Sequence, residues 1–354
     1  MKRTALYLLI LLLPLQVLSC KKEDPYEIPS PYGNTDKPED NTDDPGDDTP
    51  KPWDENRGKK VTPSGTGWTS TTIDEGIVYY TFEGKESVTG KNQRIFVADV
   101  DLNNTAYAVK LAYYSDRNIA SKVFANYKAL VCMNGGYERG SIFIRVDGSN
   151  KSMMPDDEIS TTGVPNWKSE AAVYLDGDRD ISIEFSGKDK TIAAQRAYYR
   201  SVAASHKSIL SSAPMLIDDY EPVGESFYVR YYPAQSTSSE DPYNHQEANA
   251  HPRTVMAKTE FNHLLFIGID GRRNISVGMR AREVTRFLVE NFNPQYAINL
   301  DGGGSSTLCV QGQGDPTTHV VNYPTDSDEV NKKPGNGDHT GERSVPTFFY
   351  VVKK

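Results

Sequence analysis

From Ile77 onward the chain is written in short runs of β-branched and aromatic residues, each broken off by Gly, Asp or Asn. Runs of this kind have the length of strands, and the turn-forming residues between them stop neighbouring runs from merging into long helices. The expected strands are 77–82, 95–102, 107–113, 130–134, 142–146, 171–175, 181–185, 215–217, 254–257, 263–269, 296–299, 307–310 and 347–352. Helical spacing is rarer. Between Met279 and Asn291 the residues Ala281, Val284, Leu288 and Val289 share one face and Arg280, Arg282, Glu283 and Arg286 the other. A second helix is expected over Ile119–Tyr127, with Val123, Phe124 and Tyr127 on one side. No repeat of fixed period is visible, which argues against a propeller or a solenoid. The pattern predicts an α+β fold: a mixed, β-sheet-rich single domain with a few covering helices, spanning residues 66–354.

Composition bears on the remainder. Only 37% of the 354 residues are hydrophobic, yet the chain holds 21 Tyr and 12 Phe, so the apolar deficit is local. It lies in residues 21–60, which hold 12 acidic residues, 7 basic residues and 7 prolines. Such a stretch cannot bury apolar surface and reads, over 21–65, as a disordered acidic, Pro-rich tether. Of the net −9, this stretch carries −5 and the first twenty residues +2, which leaves −6 for residues 61–354. A moderately acidic body offers no basic stripe for a polyanion, so nucleic acid is not expected as a partner. Small anions remain, because one or two arginines in a pocket suffice to hold them.

Residues 1–20, MKRTALYLLILLLPLQVLSC, combine a basic start, an apolar run and a small-residue exit, the form of a secretory signal. Val17-Leu18-Ser19-Cys20 resembles a bacterial lipoprotein box, in which Cys20 becomes the lipidated first residue. The expected location is the bacterial cell envelope, lipid-anchored and periplasmic or surface-exposed, with the membrane engaged through lipid on Cys20. Cys132 and Cys309 remain, as a disulfide or as two buried thiols in their apolar surroundings. Neither has a Cys or His at zinc-site spacing.

The chemistry concentrates at glycines that follow apolar strands. Asn299-Leu300-Asp301-Gly302-Gly303-Gly304-Ser305-Ser306-Thr307 leaves one strand and enters another. Successive glycines permit positive φ and bring backbone N–H groups close to a ligand, while Asp301 stands where the strand ends. Asn134-Gly135-Gly136-Tyr137-Glu138 is a second such loop, and by itself Asn-Gly is also a hairpin signal. Ala250-His251-Pro252-Arg253-Thr254, Gly268-Ile269-Asp270-Gly271-Arg272 and Gly341-Glu342-Arg343-Ser344 place charges at further strand ends. A sheet fixes position there and loops supply reactive groups.

Taken in order, Asn134-Gly-Gly-Tyr137, Ser212-Ala-Pro-Met-Leu-Ile217, Pro252-Arg-Thr254, Asp270-Gly-Arg272, Gly278-Met279 opening a helix, Asn299 to Ser306, and Glu342-Arg-Ser-Val345 before a last strand resemble the phosphodiester glycosidase family. The resemblance covers roughly residues 90 to 354. Two positions depart from the family pattern: Glu138 stands where a second aromatic is usual, and Ser-Ala-Pro at 212–214 replaces Ser-Gly-Pro. The stretch Ser236–Ala250 reads as an inserted loop near His251.

The resemblance implies hydrolysis of a sugar-1-phosphodiester at the anomeric carbon, with a phosphate-bearing carbohydrate as substrate. The leaving group of such a bond is already anionic, so it needs less help from a general acid than an alcohol does. In that reading Arg253 and Arg343 clamp the phosphate, with Arg272 as a third candidate. The N–H groups of Gly135, Gly136, Gly302, Gly303 and Gly304 complete an anion cradle. Asp301 is the nucleophile or base, and Glu138 or Asp270 the second carboxylate. Asn134, Ser305 and Ser306 orient sugar hydroxyls or water, Tyr137 and Thr254 line the site, and His251 is a candidate proton donor or a structural hydrogen-bonder. No cofactor is expected; Asp301, Asp270 and Asn134 leave open a Ca²⁺ or Mg²⁺ ion. The competing readings are a non-catalytic cell-surface glycan-binding lipoprotein and a phosphodiesterase attacking at phosphorus.

Overall fold

The run His263–Ile269 forms a strand whose two faces are both buried: Leu264 and Phe266 join one apolar cluster, and Leu265, Ile267 and Ile269 join another. A strand covered on both sides has no solvent face to fill with polar residues, so it reads as a near-continuous apolar run. The computed structural model describes residues 51–160, 163, 166–186, 191–227, 241–326 and 337–354, all within one compact unit. The expected leader, the lipidated Cys20 and most of the tether lie outside the described residues.

In chain order the strands are β1 (Trp68–Asp74), β2 (Ile77–Lys85), β3 (Asn92–Asp101), β4 (Tyr107–Asn118), β5 (Val131–Asn134), β6 (Ile144–Val146), β7 (Ser149–Ser152), β8 (Ala171–Leu175) and β9 (Ile181–Phe185). They continue as β10 (Ser208–Ser212), β11 (Met215–Ile217), β12 (Arg253–Lys258), β13 (His263–Ile269), β14 (Tyr296–Asn299), β15 (Leu308–Val310) and β16 (Val345–Lys353). The α-helices among the described residues are α1 (Ala120–Tyr127), α2 (Ile192–Val202) and α3 (Ala281–Asn291). The strands form three antiparallel sheets, ordered β1-β2-β3-β13-β12-β14-β11, β7-β6-β10-β8-β9 and β15-β5-β16-β4. The fold is therefore the sheet-rich α+β arrangement expected. β1, β7, β10 and α2 were not anticipated from the sequence.

One apolar cluster draws on all three sheets, with Phe96, Met256 and Phe266 from the first, Val173 and Leu210 from the second, and Met133 and Phe349 from the third. The outer face of the seven-stranded sheet is closed by α3, whose Val284, Phe287 and Leu288 meet Leu216, Val255 and Ile267. Glu283 caps that helix by accepting from Arg280 N at 2.7 Å. Residues 51–65, assigned to the tether on composition, lie against the body: Asn293 Nδ2 donates to Asn56 O and Lys59 O, each at 2.8 Å, and Arg57 pairs with Asp219 at 2.8 Å. Backbone carbonyls found partners there although the side chains are polar. Cys132 and Cys309 are free, buried thiols directly opposite each other on β5 and β15, and burial pushes both thiol pKa values up.

Phe349 is fully buried on β16, the strand paired to both β5 and β4. Phe349→Ala should lower unfolding stability by about 3–5 kcal/mol, read from the midpoint of a urea denaturation curve.

Candidate active site

Antiparallel pairing decides where the loops meet. The start of β12 lies beside the ends of β13 and β14, with Arg253 opposite Ile269 and Val255 opposite Asn299. In the four-stranded sheet the end of β5 lies beside the starts of β15 and β16, with Met133 opposite Leu308 and Asn134 opposite Phe348. Both glycine loops therefore emerge at one edge, and Asn134 joins them. Its Nδ2 donates to Asp301 O at 2.7 Å, while its Oδ1 accepts from Thr254 Oγ1 and Thr307 N, each at 3.0 Å. Asp301 N in turn donates to Gly135 O at 3.1 Å. Asn134 is thus a strut between the loops, and its side chain is spent on them. Thr254 and Ser306 belong to the same strut, joined at 3.1 Å and buried.

Asp301 is partly accessible, and its carboxyl group is pushed up to about 6, chiefly by burial. A bond to Ser305 and the charges of Lys168 and Arg343 act the other way, and the nearby Glu138 adds to the rise. Glu138 sits at the rim, about half exposed and paired with Arg117 at 2.8 Å. Asp270 goes elsewhere: its buried carboxyl pairs with Arg94 at 3.1 Å and accepts from Tyr323 N at 2.8 Å. Its role is to neutralise Arg94, so it does not supply the second carboxylate beside Asp301.

Two guanidinium groups lie directly over the glycine triplet. A Cβ at Gly303 would come 3.0 Å from Arg272 Nη2, and one at Gly304 would come 2.5 Å from Arg343 Nη2. A side chain at either position would displace the arginine head that lies over it, and Gly303 also has a left-handed φ of 62° that favours glycine. Arg343 is also held by Asp326 and lies 3.4 Å from Ser305 Oγ. Burial, and then the charge of Arg343, lower the Arg272 pKa, as expected for like charges brought close.

Arg253, expected in the clamp, is not available for it. The side chain is 1% exposed, with Nε donating to Met279 O at 2.7 Å, Nη1 to Gln246 Oε1 and Nη2 to Gln246 O at 3.1 Å. A guanidinium fully committed to internal acceptors has no face left for a ligand. The anion cradle is also narrower than expected. Gly135 N donates to Thr347 O and Gly303 N to Pro252 O, each at 2.8 Å, which leaves Gly136, Gly302 and Gly304 as candidates. Tyr137 is buried, its hydroxyl donating to Ala213 O at 2.8 Å. His251 is held neutral, since burial and the charges of Arg253 and Arg272 lower it to about 4. These surroundings disfavour the charged form that a proton donor would need.

Several groups at this edge escaped the sequence reading. Lys168 lies 5.2 Å from the Tyr137 ring centroid and 5.6 Å from that of Trp167. His245 packs against Tyr137, Trp167 and His251 at 6.0, 5.2 and 6.3 Å between ring centroids. No spacing in the sequence connects these residues, which come from three separated segments. Among the described residues no group of three or more His, Cys, Asp or Glu is placed to hold a metal ion.

This edge of the sheets brings one carboxyl group, that of Asp301, together with the guanidiniums of Arg272 and Arg343. The chain belongs to the phosphodiester glycosidase family, whose model matches residues 127–352. The fold is similar to that of the zebrafish N-acetylglucosamine-1-phosphodiester alpha-N-acetylglucosaminidase catalytic domain, at 16% identity and TM-score 0.53, covering 84% of this chain and 87% of that one. It is similar also to an exported protein of Burkholderia pseudomallei, at 12% identity and TM-score 0.56, covering 83% and 99%. No curated protein sequence matches the chain.

An ionised Asp301 should be required for catalysis. kcat/KM should fall about tenfold per pH unit below about pH 6, and Asp301→Asn should lower kcat by about 10²–10⁴-fold. Stability should move oppositely. A carboxyl raised in the folded state loses stability as pH climbs from its unfolded value through about 6. Asp301→Asn should therefore melt roughly 2–4 °C above wild type at pH 7.5, and the gap should close by pH 4, as followed by thermal unfolding.

Proposed function

We propose that the chain hydrolyses a sugar-1-phosphodiester, releasing the sugar and a phosphomonoester. The observation that carries this reading is the pair Arg272 and Arg343 over the glycine triplet, beside an enclosed Asp301. A guanidinium offers two parallel donors to phosphate oxygens, and two of them on neighbouring loops can grip one phosphate from two sides. Gly136, Gly302 and Gly304 add backbone donors to the same anion.

With phosphate so held, the anomeric carbon lies toward Asp301. The Asp301 carboxylate either attacks that carbon or takes the proton of an attacking water, and its charge stabilises the oxocarbenium-like centre as the bond to phosphate breaks. The departing phosphomonoester is already anionic and gains charge as it leaves. Arg272 and Arg343 are placed to meet that charge, which replaces much of the work of a general acid. A neutral His251 fits a site organised in this way. Glu138, at the rim, is placed to select among sugars or to order water.

In the same reading the domain is attached to the bacterial envelope through lipid on Cys20.

The test is hydrolysis of a panel of sugar-1-phosphodiesters by residues 51–354, followed by ³¹P NMR in ¹⁸O-water. Oxygen from water should appear in the sugar, whereas label in the phosphate would assign attack to phosphorus. Arg272→Ala and Arg343→Ala should each lower kcat/KM by about 10–100-fold, the size expected for one charge-assisted contact. Retention of the diester without turnover would support a glycan-binding protein instead.

A further inference from the structure

The residues at 244–248 form a π-helical turn that carries His245 into the site and is fastened from below by Arg253. The fastening has a chemical consequence. A guanidinium has donors only, so the Gln246 atom that meets Arg253 Nη1 must be the carbonyl Oε1. The other end of the amide is then the NH₂ group. It lies 2.8 Å from His245 Nδ1 and 3.1 Å from the Tyr137 hydroxyl, which passes its own proton to Ala213 O at 2.8 Å. An amide nitrogen cannot accept, so His245 Nδ1 must, and the ring proton resides on Nε2.

We propose that His245 is a substrate-binding donor whose Nε2–H tautomer is set by the relay Arg253–Gln246–His245, and that it donates to an anionic phosphate oxygen of the substrate. The inference deepens the reading above and rests on it for the identity of the ligand. Nε2 has no partner among the described residues, and the residue is half-buried, so the donor is within reach of a ligand. Its ring stands 6.3 Å from that of His251, whose Nδ1 lies 3.4 Å from both Nε and Nη2 of Arg272. His251 thus links the His245 ring to Arg272, one of the two guanidiniums over the glycine triplet.

The ring stays uncharged while it does so. Burial acts first, and the groups that face it, Arg253, Lys168, His251 and Arg272, all oppose a further positive charge. A neutral imidazole donates a hydrogen bond without competing for the proton, so it strengthens anion binding and remains unchanged through turnover. Arg253, which touches no ligand in this arrangement, is a positioning residue.

The experiment uses the full chain with ¹⁵N-labelled histidine, with His245 assigned by the signal lost in His245→Gln. Long-range ¹H–¹⁵N spectra should show the Nε2–H tautomer of His245 from pH 6 to 8, and inorganic phosphate should shift its Nε2. Gln246→Glu, which can still pair with Arg253 but offers His245 an acceptor, should convert the ring to the Nδ1–H or cationic form and lower kcat/KM by about 10–100-fold. His245→Gln reaches the Nε2 position with an amide donor and should retain more activity than His245→Ala. An Nδ1–H tautomer in the wild type, a phosphate titration without effect on Nε2, or a tautomer unchanged in Gln246→Glu would each overturn the proposal. If no sugar-1-phosphodiester is hydrolysed while the tautomer and the phosphate response are as expected, the relay stands and the assignment of the reaction falls.

Discussion

The side-chain amide of Asn134 is the constraint on which the site depends. It ends β5 of one sheet and reaches the loop after β14 of another, donating to Asp301 O while accepting from Thr254 and Thr307. Only a short amide supplies a donor and two acceptor directions within that reach; aspartate would face a carbonyl with a second acceptor, and alanine would strand three buried groups. Each unmet buried polar group costs about 1–3 kcal/mol, so the amide acts as a lock between the two sheets at this edge, beside the bond from Asp301 N to Gly135 O. Asp301 is thereby held by its backbone, and of its carboxyl group only the bond from Ser305 is a side-chain contact of the glycine loop.

Around that lock an acidic protein concentrates positive charge, and it separates the tasks of its arginines by burial. Arg253, inside, uses every nitrogen to fasten the turn 244–248 and the approach to α3. Arg272 and Arg343, nearer the surface, are left with donors directed over the glycines. Arg94 is neutralised by Asp270 and lies over the Tyr323 ring at 3.8 Å. Sequence position alone makes these four look equivalent, since each adjoins a strand end. Solvent access and the acceptors within reach make them different.

That distinction marks how far the sequence could be read. The strand runs 171–175, 181–185, 215–217, 263–269 and 296–299 have the same bounds in the structure, because turn residues and apolar periodicity are local signals. The helix Ile192–Val202 was missed because its buried positions, Ile192, Gln195 and Tyr199, stand at helical spacing but include a polar residue, which breaks the apolar stripe. β7 and β10 were missed because they are serine-rich: β7 has no β-branched residue and β10 only Ile209, although Ser208, Ser211 and Ser212 are buried. At the site, the glycine loops and Asp301 were legible because glycine and a strand-end acid are unusual where they stand. Lys168 and His245 were not, since their place depends on contacts between distant segments. Whether a guanidinium faces a ligand or a carbonyl is likewise a property of packing.

The electrostatics of the edge follow from one asymmetry. Burial raises Asp301 to about 6 and lowers His251 to about 4, so it opposes charge of either sign on groups that can release it by gaining or losing a proton. The guanidiniums cannot release theirs, and Arg272 bears the repulsion of Arg343 instead. A site in this condition gains most from a ligand that brings negative charge to the arginines without adding it beside Asp301. In the proposed reaction a phosphodiester spans that separation, with its phosphate on the arginines and its sugar toward the carboxyl. As the bond to phosphate breaks, negative charge moves onto the arginine side and positive charge onto the carbon facing Asp301. In that proposal both shifts place charge where the site favours it, so the interaction grows toward the transition state, which is the condition for accelerating the reaction rather than only binding its substrate.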